Sequence, residues 1–303
     1  MAKARIGIVG AGLMGHGIAQ VFAVAGHPVA VYDASPGALA TLRQRIARNL
    51  ADLGEDTAAA SAVTPVATLA EAVGEADIVI EAAPEKVALK QDIFAELEKL
   101  APRRALLASN TSVIPIGKIA ARVTTRDRVL GTHWWVPPYL VPLVEVIQAE
   151  GTSAATIATM IELLASVGKT PVHVRKDVPG FIGNRLQHAM WREAVALVQN
   201  GVCDARTVDI VVKASFGRRL PVIGPLESAD LVGTDLALDC HENLLPDLDR
   251  TPGPLPYLEA LVAAGKLGFK SGEGFRTWTA AEQAELRSKL TRHLTRMAKE
   301  DSA

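Results

Sequence analysis

The stretch RIGIVGAGLMGHGIAQVFAVAGHPVAVYD, residues 5–33, leaves this chain few folds to choose from. An apolar run ends in the turn GAGLMG, a pattern with helical spacing follows, and a second apolar run closes on Asp33. Strand, glycine turn, helix and strand in that order make a βαβ unit, the opening of a dinucleotide-binding fold. Gly10 permits the tight turn, Gly12 lets a pyrophosphate approach the backbone, and Gly15 lets the helix pack closely on the strand. The helix then opens at Leu13 and Met14, whose N–H groups have no partner within the helix and offer the phosphates a partial positive charge. Asp33 stands about 20 residues beyond the middle glycine, where a carboxylate accepts hydrogen bonds from the adenosine ribose hydroxyls and repels a 2'-phosphate. No arginine follows it before Arg43, so the cofactor is read as NAD rather than NADP. A plainer use for Asp33, as helix N-cap, is filled at least as well by Ser35.

The alternation continues to about residue 176. Strands are expected at RIGIVG, PVAVYD, PVATL, ADIVIEA, ALLASN, VLGTHW, LVEVI and TPVHVR, with helices over 13–25, 36–51, 87–100 and 154–167. After Pro179 and Gly180 the strands stop. Helical patterns then cover 181–199, 205–215, 226–243, 256–264 and 280–299. The expected architecture is an α/β protein with a Rossmann-like, doubly wound, mostly parallel sheet over 1–178, followed by an all-α domain over 179–303.

Charge and composition exclude several functions. With 32 basic against 33 acidic side chains and a formal net charge of -1, there is no basic excess to hold nucleic acid. The apolar N-terminus carries six glycines before Pro28, which fits neither a signal peptide nor a membrane span of about 20 apolar residues. Cys203 and Cys240 lie far apart with no metal-ligand spacing. Free thiols in a reducing cytoplasm and no metal are therefore expected.

Seven segments, in order along the chain, resemble the 3-hydroxyacyl-CoA dehydrogenase family: GAGLMG, EAAPEKVALK, SNTSVIPI, GTHWWVPP with LVEV, KDVPGFIGNR, GPLESADLVGTD and GKLGFKSGEGF. The resemblance implies a Rossmann-like first domain, a helical second domain through which two copies pair as a homodimer, and hydride transfer from a secondary alcohol to NAD. The chemistry can also be argued from the residues. Oxidising such an alcohol needs a base for the hydroxyl proton, and histidine suits that near neutral pH. His133 ends the strand VLGTH, at the sheet edge where ligands of open α/β sheets gather. Pro137, Pro138 and Pro142 forbid a regular helix after it, so the chain can return along LVEV and bring Glu145 beside the imidazole. A carboxylate there fixes the tautomer and stabilises the imidazolium that forms. The resemblance assigns the same roles to His133 and Glu145. It adds Ser112 and Asn184 as hydrogen-bond donors to the substrate oxygen, and Glu85 and Lys90 as lining of the cofactor site, with Lys90 on a ribose. Taken singly these residues also have ordinary uses: Ser112 as a cap for 114–121, Asn184 as a partner for buried backbone, Trp134 and Trp135 as core. His16, just after the last glycine, is placed on the helix surface.

The chain departs from the fatty-acyl pattern H-F-F-N-P, reading His133-Trp134-Trp135-Val136-Pro137. The substrate pocket therefore differs at this loop, and Trp134 and Trp135 are read as lining it. Acyl-CoA members carry a longer, lysine-rich helical insertion after the second strand, whereas residues 55–77 here contain no Lys or Arg. The phosphates of coenzyme A normally need cationic partners. PPYLVPLVE and FGRRLPVIGPLE resemble the gulonate dehydrogenase (lambda-crystallin) and carnitine dehydrogenase branches, and a dehydrogenase of a pyridine carboxylate. Arg218 or Arg219 is accordingly read as the binder of a substrate carboxylate, or else as part of a solvated loop. Three readings follow: an NAD-dependent dehydrogenase of a small 3-hydroxy acid or short 3-hydroxyacyl substrate, a true short-chain L-3-hydroxyacyl-CoA dehydrogenase, and a non-catalytic NAD-binding or structural protein.

Overall fold

The structure is a computed structural model and describes residues 3–300. The strands are β1 (Ile6–Val9), β2 (Val29–Tyr32), β3 (Val63–Pro65), β4 (Ile78–Glu81), β5 (Leu106–Ser109), β6 (Val129–Trp134), β7 (Leu143–Ile147) and β8 (Thr170–Val174). Among the described residues they form one eight-stranded sheet in the order β3-β2-β1-β4-β5-β6-β7-β8. All neighbours run parallel except β6 and β7. The strand order reverses at β1, so the glycine turn at its carboxyl end opens onto the crevice where ligands of such sheets bind.

Helices α1 (Leu13–Val24), α2 (Pro36–Ala40), α3 (Leu42–Leu53), α4 (Leu69–Val73), α5 (Val87–Leu100), α6 (Ile116–Ile119) and α7 (Ala154–Ser166) accompany the sheet. With both sheet faces covered, β1, β4 and β6 are buried along their whole length. Successive residues serve two cores: Ile78 and Ile80 join Ile8, Phe22 and Val31 on one face, while Val79 joins Phe94, Leu97 and Leu107 on the other.

Three expectations are corrected. The helix over 36–51 is two helices parted at Thr41, whose Oγ1 donates to Gly37 O at 3.3 Å, a side-chain bond that competes with the helical ladder. The third strand is Val63–Pro65 rather than 65–69, because Thr68 starts α4 instead: its Oγ1 accepts from Glu71 N, and Glu71 returns a bond to Thr68 N. The helix over 226–243 is broken at Gly233, which lies in the left-handed region at φ 99° and separates α10 from α11.

Beyond β8 follow α8 (Gly183–Gln199), α9 (Ala205–Ala214), α10 (Pro225–Val232), α11 (Thr234–Leu244), α12 (Pro256–Ala263) and α13 (Ala280–Glu300). By compactness the chain divides into one unit that runs to Arg185 and resumes at Thr291, and a second over Leu186–Leu290. The second unit has little core of its own. Its buried apolar side chains are Ala196 and Leu255, whereas Val222, Leu226 and Leu231 are 83%, 79% and 72% exposed.

Lys169, in the turn before β8, fastens the loop between β6 and β7. Its Nζ donates to Pro138 O at 2.6 Å and to Val141 O at 3.1 Å, and burial pulls its pKa down to about 8. The unfolded chain holds this proton up to about pH 10.4, so between pH 8 and that value it binds more protons than the native state. Stability from this group therefore rises with pH across that window and is lost as pH falls through 8. Thermal melts of wild type and Lys169→Met should show the wild type gaining on the variant from pH 8 to 10; a constant difference would refute the assignment.

Candidate active site

The glycine turn has the shape a dinucleotide needs. Gly10 lies at φ 109°, and a Cβ there would stand 2.6 Å from Ala82 O. A Cβ on Gly15 would stand 1.8 Å from Gly10 O, so helix and strand could not close up. A Cβ on Gly12 would meet nothing within 4 Å, and no side chain caps α1. The backbone is thus open to a phosphate beside the first N–H groups of the helix, at Leu13 and Met14. Asp33 borders the turn, its carboxylate accepting from Ala11 N at 2.6 Å and Ser35 N at 2.7 Å. His16 is not on the surface as expected: it is buried, and its Nδ1 donates to Gly12 O at 2.8 Å. Burial, helped by the Arg45 charge, holds this imidazole below its ordinary pKa despite that bond.

Antiparallel pairing of β6 with β7 sets His133 directly opposite Glu145. His133 Nδ1 lies 2.7 Å from Glu145 Oε2, with both residues buried. A carboxylate only accepts, so Nδ1 carries the proton and Nε2 keeps its lone pair for a base. The other carboxylate oxygen accepts from Ile182 N at 2.8 Å and Gly183 N at 3.0 Å, at the start of α8. Burial alone would raise the Glu145 pKa; the bonds from His133, Gly183 and Ile182 outweigh it and hold the carboxyl below its ordinary value. An ionised carboxylate on a helix N-terminus is a fixed anion behind the imidazole.

The other site residues meet at the backbone of Ser112. Glu85 Oε1 accepts from Ser112 N at 3.0 Å, Val113 N at 3.2 Å and Thr111 Oγ1 at 2.5 Å. On the other side of the residue, Asn184 Nδ2 donates to Ser112 O at 2.8 Å. Ser112 itself is exposed, so its hydroxyl faces outward while its peptide groups are held. Lys90, expected on a ribose, is instead wholly buried: its Nζ lies 2.6 Å from Glu81 Oε1, 3.5 Å from Glu85 Oε2 and 3.2 Å from Ala83 O. Two of its donors are hydrogen-bonded, to Glu81 and Ala83, and its charge is balanced by Glu81 and Glu85, so the ammonium points into the protein. Glu81, which the sequence reading passed over, accepts from Ser109 Oγ at 2.6 Å and Ala83 N at 2.7 Å. An acid closing an apolar strand was the available signal.

Of the two tryptophans only one lies on the histidine. Strand residues alternate between faces, so Trp134 turns away from His133 into the core, 6.0 Å from Phe22. Its expected place in the substrate pocket is corrected accordingly. Trp135 has its ring centroid 5.1 Å from that of His133, and Phe181 stands 5.7 Å away. A Cβ on Gly183 would come within 2.4 Å of Trp135 Cζ2, so an indole fits here only because residue 183 has no side chain. Phe181 sits at φ 50°, a strained conformation for a non-glycine residue. Arg218 and Arg219 are exposed, in the second unit.

Comparison with known proteins gives the family. Residues 5–178 match the family model described as 3-hydroxyacyl-CoA dehydrogenase, NAD binding domain, and residues 180–278 match its C-terminal domain. A 5-formyl-3-hydroxy-2-methylpyridine 4-carboxylate 5-dehydrogenase of Mesorhizobium japonicum is 36% identical, covering 96% of each chain. A probable 3-hydroxybutyryl-CoA dehydrogenase of Bacillus subtilis is 41% identical over 89% of this chain and 96% of its own. A solved structure of a 5-formyl-3-hydroxy-2-methylpyridine 4-carboxylic acid 5-dehydrogenase, an NAD+-dependent dismutase, superposes with a TM-score of 0.92 at 34% identity, covering 99% of each chain.

Proposed function

Since the chain belongs to the 3-hydroxyacyl-CoA dehydrogenase family and is an NAD-dependent dehydrogenase acting on a hydroxyl group, we propose that its His133–Glu145 pair is the general base for a small 3-hydroxy acid or short 3-hydroxyacyl substrate. One observation carries this. The 2.7 Å bond from Nδ1 to a buried carboxylate, itself anchored on α8, leaves Nε2 as the group able to take a proton. His133 removes the proton of the secondary hydroxyl as the alcohol becomes a ketone, and Glu145 stabilises the resulting imidazolium. NAD, when bound, would supply the hydride acceptor. Ser112 and Asn184 steady the substrate oxygen, with Asn184 acting partly through the Ser112 carbonyl it holds. Gly10, Gly12, Leu13, Met14, Gly15 and Asp33 hold the dinucleotide, and Glu85 shapes the loop beside it.

A free carboxylate is the favoured substrate handle. Of the three arginines before the cation-free segment, Arg48 is exposed with Asp52 4.0 Å away, while Arg43 and Arg45 are spent on backbone: Arg43 Nε donates to Val63 O at 2.7 Å and Arg45 Nη2 to Ala11 O at 2.6 Å. They are poorly placed to grip coenzyme A. Arg218 and Arg219 are exposed and form no ion pair among the described residues, which leaves their guanidiniums available to a carboxylate. The Mesorhizobium relative acts, by its name, on a carboxylate. The second reading, a CoA thioester, is favoured by the name of the Bacillus relative.

Turnover followed through NADH separates them. Free 3-hydroxy acids with NAD should give the higher kcat/KM, and acetoacetyl-CoA with NADH the lower. Efficient use of the thioester would overturn the free-acid reading. Residues 1–178 are proposed as the NAD-binding domain and 179–303 as the substrate and dimerisation domain. The exposed Val222, Leu226 and Leu231 support a homodimer, since apolar surface of this kind is normally covered by a second copy. Cys203 and Cys240 are both free, which fits a cytoplasmic setting. No described helix is long and apolar enough to cross a membrane.

A further inference from the structure

Arg45, on α3, spends its guanidinium on the backbone of the glycine turn and its surroundings. Nη2 donates to Ala11 O at 2.6 Å and Ala38 O at 2.8 Å, Nη1 to Gly12 O at 3.4 Å, and Nε to Thr41 Oγ1 at 3.2 Å. No described carboxylate lies within ion-pair distance of it; Asp33, on Ala11 N, is the acid that shares the turn. A planar fork with donors on three nitrogens can hold neighbouring carbonyls together, which a lysine ammonium cannot reproduce.

The consequence follows from peptide planarity. In a trans peptide the carbonyl oxygen and the next N–H point in opposite directions. Holding Ala11 O and Gly12 O against α3 therefore turns the N–H groups of Gly12 and Leu13 the other way. His16 Nδ1 adds a second hold on Gly12 O. On the side where a Cβ would stand Gly12 is open, and with its carbonyl tied back an anion approaching the turn meets N–H groups rather than carbonyl oxygens. Without the guanidinium Ala11 O loses its charged partner and Gly12 O is left with His16, so part of the ordering of the turn falls to the cofactor, at the expense of binding.

We propose that Arg45 is a positioning residue for NAD, holding the glycine turn in its diphosphate-binding shape before the cofactor arrives and adding a positive charge behind it. Arg45 touches the turn and not the reacting atoms, so it acts on affinity.

The test uses the full chain and needs no substrate, which keeps it independent of the His133 proposal. NADH and ADP-ribose affinities are measured by fluorescence titration and competition for wild type, Arg45→Met and Arg45→Lys, with thermal melts of each protein in the absence of nucleotide. Arg45→Met should weaken both nucleotides by about tenfold, the scale of one charge-assisted hydrogen bond. Arg45→Lys, which keeps the charge, should recover part of the loss. A methionine variant that binds NADH within twofold of wild type overturns the proposal, even if its melting temperature falls. So does a loss confined to NADH, because ADP-ribose carries the same diphosphate. Should Arg45→Met fail to fold, Arg45→Lys decides: weakening of both nucleotides supports the proposal, and wild-type affinity overturns it.

Discussion

Replacing His133 by alanine should lower kcat by about 10²- to 10⁴-fold, the usual contribution of a positioned general base, while NADH affinity stays close to wild type. The split is expected because His133 is hydrogen-bonded to Glu145 on the β6–β7 ladder, whereas the side chains bonded to the glycine turn are Asp33, His16 and Arg45. Glu145→Gln should fall by a comparable factor. The glutamine keeps the size of the side chain but removes the charge that accepts from His133 Nδ1, Ile182 N and Gly183 N. Residues that act as one unit are not additive, so the double variant should be little worse than either single one. Steady-state kinetics and NADH titration on the three proteins check this. Near-wild-type turnover in His133→Ala would remove the proposed base, and strictly multiplicative losses would mean that the two residues do not work together.

The second large effect is on stability. Lys90→Met should cost roughly 3–5 kcal/mol, the scale seen when one partner of a buried ion pair is removed. Glu81 and Lys90 are both wholly inaccessible and 2.6 Å apart, so methionine would leave the Glu81 carboxylate buried without its counter-charge. Glu81 would keep only Ser109 Oγ and Ala83 N. Glu85, 3.5 Å from the same ammonium, is partly exposed and should lose less. Urea unfolding of Lys90→Met, and of the double variant with Glu81→Gln, tests the assignment. The double variant should recover much of the loss, because an amide without a counter-charge is far cheaper to bury than a carboxylate. A single variant as stable as wild type would show that the cluster does not depend on its cation.

These two expectations differ in how far they were legible beforehand. The His133–Glu145 pair could be read from the sequence, because a histidine ending one strand and a glutamate within the next, joined by a proline-rich loop, have few other ways to meet. The buried Lys90 was misread. Helical spacing places it on the first turns of α5, but only the packing of α5 on the sheet shows that it points inward to Glu81. His16 failed for the same reason, since α1 is buried without a break from Gly15 to Ala23 and only the packing around it shows this. Trp134 and Trp135 are adjacent letters with opposite surroundings. A strand over these residues already implies the alternation; which of the two faces holds the site depends on what packs against each.

The sequence by itself determined the βαβ opening, the acid at Asp33 that follows its second strand, the change from alternating strands to helices, and which histidine and carboxylate meet. Each of these rests on local spacing, where glycine sterics, strand and helix periods and proline geometry act over a few residues. The tertiary structure alone decided that Glu85 and Asn184 grip Ser112 from two sides, that Arg45 ties back the carbonyls of the turn, and that Gly183 makes room for Trp135. Those contacts join residues tens of positions apart. Their partners are chosen by how the sheet brings its loops to one edge, and no periodicity in the chain records that choice.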